Sequence, residues 1–122
     1  MTRGLGQFGG AWALGYLHRL GYRVVDRNVR FRSGELDIVA YDGASLVFVE
    51  VKCRRSSVYG SPEESISPRR YDRLARAATE YLASRELEDS TVRLDLLAVE
   101  VGLDGRVARH NLIQGIESPL RR

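Results

Sequence analysis

Gly34-Glu35-Leu36-Asp37-Ile38-Val39-Ala40-Tyr41-Asp42-Gly43-Ala44-Ser45-Leu46-Val47-Phe48-Val49-Glu50-Val51-Lys52-Cys53 is the stretch whose reading decides the fold. Asp42-Gly43 is a strong hairpin signal, because a tight turn needs residues that accept positive φ and both flanks carry β-favouring residues in alternation. The pattern predicts strands over residues 35–41 and 46–53. On the first strand Leu36, Ile38 and Ala40 share one face, and Glu35, Asp37, Val39 and Tyr41 the other. On the second, Val47, Val49, Val51 and Cys53 alternate with Leu46, Phe48, Glu50 and Lys52. Directly opposed residues of an antiparallel pair lie on the same face. Matching the apolar sets therefore pairs Leu36 with Val51, Ile38 with Val49 and Ala40 with Val47, around either a two-residue turn at Gly43-Ala44 or a slightly wider one.

This register sets Asp37 opposite Glu50, and Glu35 opposite Lys52. Opposed side chains have Cβ atoms about 4.5–5.5 Å apart, so the two carboxylates repel each other, and the apolar flank of Val39, Tyr41, Leu46 and Phe48 adds desolvation. Such a pair calls for a shared proton or a bound cation. Mg²⁺ or Mn²⁺, which binds through one or two carboxylates and keeps several waters, is the natural partner. Lys52 is within reach of a water on that ion and can orient or deprotonate it, or stabilise charge building on a phosphoryl group. Asp37, Glu50 and Lys52 are thus the expected catalytic set for phosphodiester hydrolysis, with Asp37 and Glu50 as metal ligands. Spacing alone fits an ordinary solvated face as well, with Glu35 and Lys52 as a plain cross-strand ion pair.

Around the hairpin, Phe8, Trp12, Tyr16 and Leu20 recur at four-residue steps and predict a helix over residues 6–20, core-facing and stopped by Gly21; Gly9, Gly10 and Gly15 weaken it. Residues 22–31 read as a strand. Ser67-Pro68 supplies an N-cap and a first-turn proline for a second helix, with Tyr71, Leu74, Ala75, Ala78 and Leu82 as its apolar face. Strands over 91–101 and 107–113 follow, around a turn at Asp104-Gly105. One domain over residues 1–114 and a tail over 115–122 suit the length.

The chain has 122 residues, nineteen Lys+Arg against sixteen Asp+Glu, a net charge of +3 and a pI near 9.3. Lys52 is its only lysine, so the basic excess is arginine, which suits phosphate backbones and equally suits a GC-rich coding bias. Arg54 and Arg55 follow the catalytic strand, and Arg69, Arg70, Arg73 and Arg76 lie on the second helix. Together they form a candidate nucleic-acid track, which Arg30 and Arg32 extend, or else a solvated helix surface. Asp95 could support the site from its strand or pair with an arginine. Glu35 could reach the metal through water or simply hold Lys52. Tyr59 could stack on a base or pack its loop. One cysteine, Cys53, excludes an internal disulfide and a cysteine-rich zinc site and is expected to be buried and inert. His18 and His110 lack a second histidine at ligand spacing. No signal peptide or membrane span is read, so a cytoplasmic location is expected. No Ser-His-Asp set or phosphate-binding glycine loop competes with the acidic hairpin.

Gly34-Glu35-Leu36-Asp37-Ile38-Val39-Ala40 and Val47-Phe48-Val49-Glu50-Val51-Lys52 resemble the D-x(n)-E-x-K core of PD-(D/E)XK nucleases. With Leu20-Gly21-Tyr22, Arg27-Asn28, Tyr59-Gly60-Ser61-Pro62 and Arg93-Leu94-Asp95, the chain from about Leu5 to Ile113 is similar to the YraN family of bacterial proteins with an endonuclease-like fold. The resemblance implies an α/β, restriction-endonuclease-like mixed sheet flanked by helices in the order α-β-β-β-α-β-β. It also implies Asp37 and Glu50 as metal ligands, the Val51 carbonyl beside them, and Lys52 as the catalytic lysine. Two departures stand out: Gly9-Gly10 where the family carries Gly-Glu, and Arg70 where it carries a helix lysine.

Three functions follow as expectations. The first is a Mg²⁺- or Mn²⁺-dependent nuclease, on DNA rather than RNA and on branched or single-stranded substrates. A chain this small has no base-reading module, so structure selectivity or a homodimer would guide it. The second is a nucleic-acid-binding protein of the same fold without catalysis, and the third a protein-interaction module.

Overall fold

The computed structural model describes residues 2–55 and 66–116, with side chains from Phe8 onward. Helix α1 (Thr2–Arg19) is followed by strands β1 (Arg23–Phe31), β2 (Gly34–Asp42) and β3 (Ser45–Arg55), helix α2 (Pro68–Ser84), and strands β4 (Val92–Val101) and β5 (Val107–Ile113). The α-β-β-β-α-β-β order expected from the sequence is the observed one. Tyr59 and the Gly60-Ser61-Pro62 string lie outside the described residues, as does the tail beyond Ile116.

The five strands form one mixed sheet in the order β1-β2-β3-β4-β5, with β3 and β4 parallel and the other neighbours antiparallel. A parallel pair needs a long connection, and α2 lies within the one joining β3 to β4. The helices cover opposite faces. On the α1 face, Ala13 and Leu17 pack with Ile38, Ala40, Val47, Val49, Leu97 and Val99. On the α2 face, Leu74, Ala77, Ala78 and Tyr81 pack with Leu36, Val39, Leu46 and Phe48. β3 is buried between them, and its near-continuous apolar run Leu46–Val49 is what a strand covered on both faces requires. Among the described residues no helix is long and apolar enough to cross a membrane.

Three local features position the site. In α1 the buried line is Ala13 and Leu17 rather than the predicted Phe8–Leu20 stripe: Trp12 and Tyr16 are half-buried, and Phe8 and Leu20 are exposed. Gly9 sets this rotation, because a Cβ there would lie 2.8 Å from the Cβ of Cys53, so bare backbone brings the helix onto β3. In α2, Ser67 Oγ accepts from the Arg70 N–H at 3.1 Å and Pro68 opens the first turn, as expected. This cap fixes the turn that carries Arg70.

The third feature lies in the hairpin. Ile38 pairs with Val49, Ala40 with Val47 and Asp42 with Ser45 around Gly43 at φ 60°, which is the expected register next to the turn. The expected partnership of Leu36 with Val51 does not form. β2–β3 pairing ends at Ile38 and Val49, and Leu36 joins Val39 on the α2 face instead of Ile38 on the α1 face. Alternation slips by one residue at Asp37. On β1, Asn28 lies between the residues paired to Ile38 and Leu36 and has φ 52°, so the neighbouring strand is broken at the same level. Asp37 therefore sits where the hairpin opens.

Candidate metal and nucleic-acid site

At that opening the Asp37 carboxylate takes over the role of backbone pairing. The Val51 N–H donates to Asp37 Oδ2 at 2.8 Å. A strand residue directs its N–H and C=O toward the same edge, so the Val51 carbonyl also leaves β3 beside Asp37, past the end of the ladder. One residue earlier, Glu50 turns to the α2 side and is almost fully buried. It is held by Arg70, whose Nε donates to Glu50 Oε2 at 2.5 Å and whose Nη2 pairs with the same oxygen.

The electrostatics follow from this crowding. Burial, reinforced by the charge of Glu50, pushes the Asp37 carboxyl up to about 7, against the Val51 hydrogen bond and the nearby Arg70 charge. Lys52 lies two residues beyond Glu50. Burial first, then the like charges of Arg70 and Arg54, hold its ammonium below the usual lysine range, while Glu50 opposes them. Such a lysine gives up its proton more readily than a solvated one.

Two clefts meet here. A smaller one of about 130 Å³ is lined by Asp37, Glu50, Glu35, Arg70 and Arg73. A larger one of about 940 Å³ is lined by Asp37, Val51 and Lys52 together with Gly10, Arg27 and Arg30. Arg70 borders both. Two carboxylates in mutual repulsion beside a strand carbonyl are donors suited to a hard divalent cation, which could replace the proton that otherwise relieves the pair. The described residues contain no cluster of three or more His, Cys, Asp or Glu able to hold a metal.

The sequence-predicted site residues divide into three groups. Asp37, Glu50, Val51 and Lys52 come together. Arg69, Arg70 and Arg73 project from the exposed first turns of α2, and Arg54 and Arg55 end β3. Arg76 instead pairs with Asp72 along the helix at 3.1 Å.

One pairing needs correction, and one open alternative is resolved. Glu35 does not pair with Lys52: it borders both clefts, but its ionic partner is Arg30 on β1 at 3.8 Å, because the strands have parted before Glu35 could face Lys52. For Asp95, left open between supporting the site and pairing with an arginine, the structure shows the arginine pairing, with Arg93. Asp95 is fully buried on the α1 face, opposite Val49, and accepts from Tyr22 at 2.9 Å, from Arg93 Nε at 2.8 Å and from the Gly115 N–H at 3.0 Å. The α1 face is the one opposite Glu50, so this network is structural. Cys53 packs under Gly9 and is half-buried rather than buried as expected; that partial burial raises its thiol.

Sequence reasoning missed Arg27 and Asn28 as cleft residues. The usable signal was Asn28 itself, a turn-favouring residue in the middle of a strand and therefore a mark of a local break.

A family profile described as "Uncharacterised protein family UPF0102" matches residues 9–99. A UPF0102 protein of Symbiobacterium thermophilum is 49% identical over 114 residues, covering 93% of this chain and 96% of that protein. Relatives from Geobacter sulfurreducens and Moorella thermoacetica are each 44% identical, over 80% and 90% of this chain and 76% and 92% of their own lengths. With a matched segment that takes in the second half of α1, the acidic hairpin, all of α2 and most of β4, the chain belongs to the UPF0102 family, the YraN family that the sequence resembles.

Proposed function

We propose that this protein is a metal-dependent nuclease that hydrolyses phosphodiester bonds, with branched or single-stranded DNA as its substrate. One observation carries the reading: Asp37 is seated at the opening of the hairpin by the Val51 N–H, against Glu50 and in one cleft with Lys52. A solvated surface hairpin has no reason to bury a carboxylate pair. The raised Asp37 and lowered Lys52 are the kind of paired perturbation found at sites that move protons.

Asp37, Glu50 and the Val51 carbonyl would hold Mg²⁺ or Mn²⁺, which when bound supplies a polarised water and positive charge for the scissile phosphate. Lys52 orients the attacking water and accepts or shares its proton at Nζ. Arg69, Arg73 and Arg54 grip the backbone on the α2 side, Arg55 extends the charge past the end of β3, and Arg27 and Arg30 meet the strand along the large cleft. Read as phosphate contacts, these arginines favour selection by strand geometry over base readout.

A second reading, nucleic-acid binding without turnover, has its own support. Gly10 borders the large cleft with open space where a Cβ would be, so no carboxylate enters from α1 at that position.

The test is cleavage of single-stranded and branched DNA with Mg²⁺ or Mn²⁺, comparing wild type with Asp37→Asn and Lys52→Ala. Cleavage in wild type and its loss in both variants supports the nuclease. Salt-sensitive DNA binding without cleavage favours the second reading. Cleavage that survives both substitutions places the activity elsewhere.

A further inference from the structure

Arg70 lies between the two ligands that the proposed site must take. Its Nε and Nη2 both engage Glu50, whose side chain is 3% exposed, while its own side chain is 48% exposed and borders both clefts. A buried carboxylate must keep a charged partner, and here that partner is a guanidinium that can be reached from solvent. Guanidinium binds phosphate through the same planar fork it offers a carboxylate. A dication placed on Glu50 would meet the positive charge of Arg70 within a few ångströms, so Glu50 cannot serve both fully.

We propose that Arg70 is a positioning residue that couples the two ligands: it holds Glu50 until a phosphate of the incoming strand draws the guanidinium away, leaving the carboxylate to the cation. The inference rests on the nuclease reading and adds an order to it, in which nucleic acid strengthens metal binding and metal strengthens nucleic-acid binding by the same factor. The fold suits the role. The Ser67 cap holds the Arg70 backbone while the side chain alone exchanges partners, and Arg69 and Arg73 on neighbouring exposed positions lead the strand toward it. Without nucleic acid the site carries two acidic groups, Asp37 and Glu50, and two basic ones, Arg70 and Lys52, which disfavours an idle metal.

The experiment is calorimetric titration of Ca²⁺, a hard oxygen-seeking cation, into the full chain with and without a short single-stranded DNA whose integrity is checked afterwards. In wild type the DNA should tighten Ca²⁺ binding roughly 5- to 50-fold, within the usual range of coupling between sites. Arg70→Ala should bind Ca²⁺ tightly without DNA, and the DNA effect should shrink to about twofold or less on the same coupling scale. Arg70→Gln, which keeps a hydrogen-bond donor near Glu50 without the charge, should behave alike and guards against a folding defect in the alanine variant. Coupling that persists unchanged in both variants overturns the role of Arg70, as does its absence from a wild type that binds both ligands. Failure of every protein to bind any cation overturns the metal site itself, a separate result.

Discussion

The N–H of Val51 donates to Asp37 Oδ2 at 2.8 Å, and this bond joins β2 to β3 just past the last backbone pair, Ile38 with Val49. A side chain thus replaces a main-chain rung. The exchange frees the Val51 carbonyl from the ladder, draws Asp37 toward Glu50 and opens the cleft beside Lys52. All three effects come from one change in phase, in which Leu36 turns to the α2 core while Ile38 stays on the α1 core.

The first prediction concerns pH. Asp37 titrates as an ordinary carboxylate, near pH 4, in the unfolded chain and at about 7 in the folded one. A raised folded value means that the protonated form favours folding. The contribution is present in full below pH about 4 and is lost as pH rises through 7. Metal-free protein in chelator should therefore melt lower at pH 8 than at pH 5 on this group's account. Asp37→Asn, which keeps an acceptor for the Val51 N–H, should flatten that slope and melt higher than wild type at pH 8. Parallel slopes for the two proteins over this range would remove Asp37 as the strained acid.

Gly9→Ala should destabilise the fold although alanine favours helices. Propensity would gain about 1 kcal/mol, but the new Cβ lies 2.8 Å from Cys53 Cβ and 3.0 Å from its Sγ, on a strand that cannot retreat. Overpacking of this kind costs about 1–3 kcal/mol, so a net loss of about 1 kcal/mol is expected in urea unfolding. Cys53→Gly in the Gly9→Ala background should recover part of it, since it removes the opposing atoms. A Gly9→Ala protein as stable as wild type would show that α1 does not rest on β3 through this contact.

The elements, their order and the hairpin register next to the turn were legible because they depend on local signals: alternation in Leu46–Val49, the Asp42-Gly43 turn, and Ser67-Pro68 before an apolar face. The phase slip at Asp37 was not, since period-2 reasoning extends a register indefinitely and cannot register the left-handed Asn28 on a third strand. The same limit misassigned Glu35. The face of α1 was misread for another reason: large residues at Phe8, Trp12 and Tyr16 outweighed the small Gly9 and Ala13 that make the close contact. Asp95 was left undecided because its partners Tyr22 and Gly115 are distant in sequence.

Asp95→Asn should be costly yet leave metal and nucleic-acid binding untouched in whatever protein stays folded. The substitution removes a fully buried charge from Arg93 and weakens the acceptor for Tyr22. Breaking one partner of a buried ion pair typically costs about 3–5 kcal/mol. Arg93 keeps Asp42 at 2.9 Å and some solvent contact, which points to the lower end of that range. Denaturant unfolding beside a cation titration separates the outcomes, and a tenfold or larger loss of cation affinity (on the order of 1.4 kcal/mol) with little loss of stability would return Asp95 to the site.

Arg27→Ala and Arg30→Ala should each lower the salt dependence of DNA binding. Both residues line the large cleft together with Asp37, Lys52 and Arg70, where they can meet a backbone running past the site. A side chain that neutralises one phosphate releases its counterions, so its loss should reduce the slope of log K against log salt by about 1. Arg30 gives part of its charge to Glu35 at 3.8 Å and should show the smaller change. Arg23 is the control. It lies four residues from Arg27 along β1, about 13 Å away by strand rise, and stacks on Tyr41 beside the hairpin turn. Anisotropy titrations of single-stranded DNA at several salt concentrations give the slopes. If Arg23→Ala lowers the slope as much as Arg27→Ala does, the cleft has no special claim on the strand and the contact is diffuse surface charge.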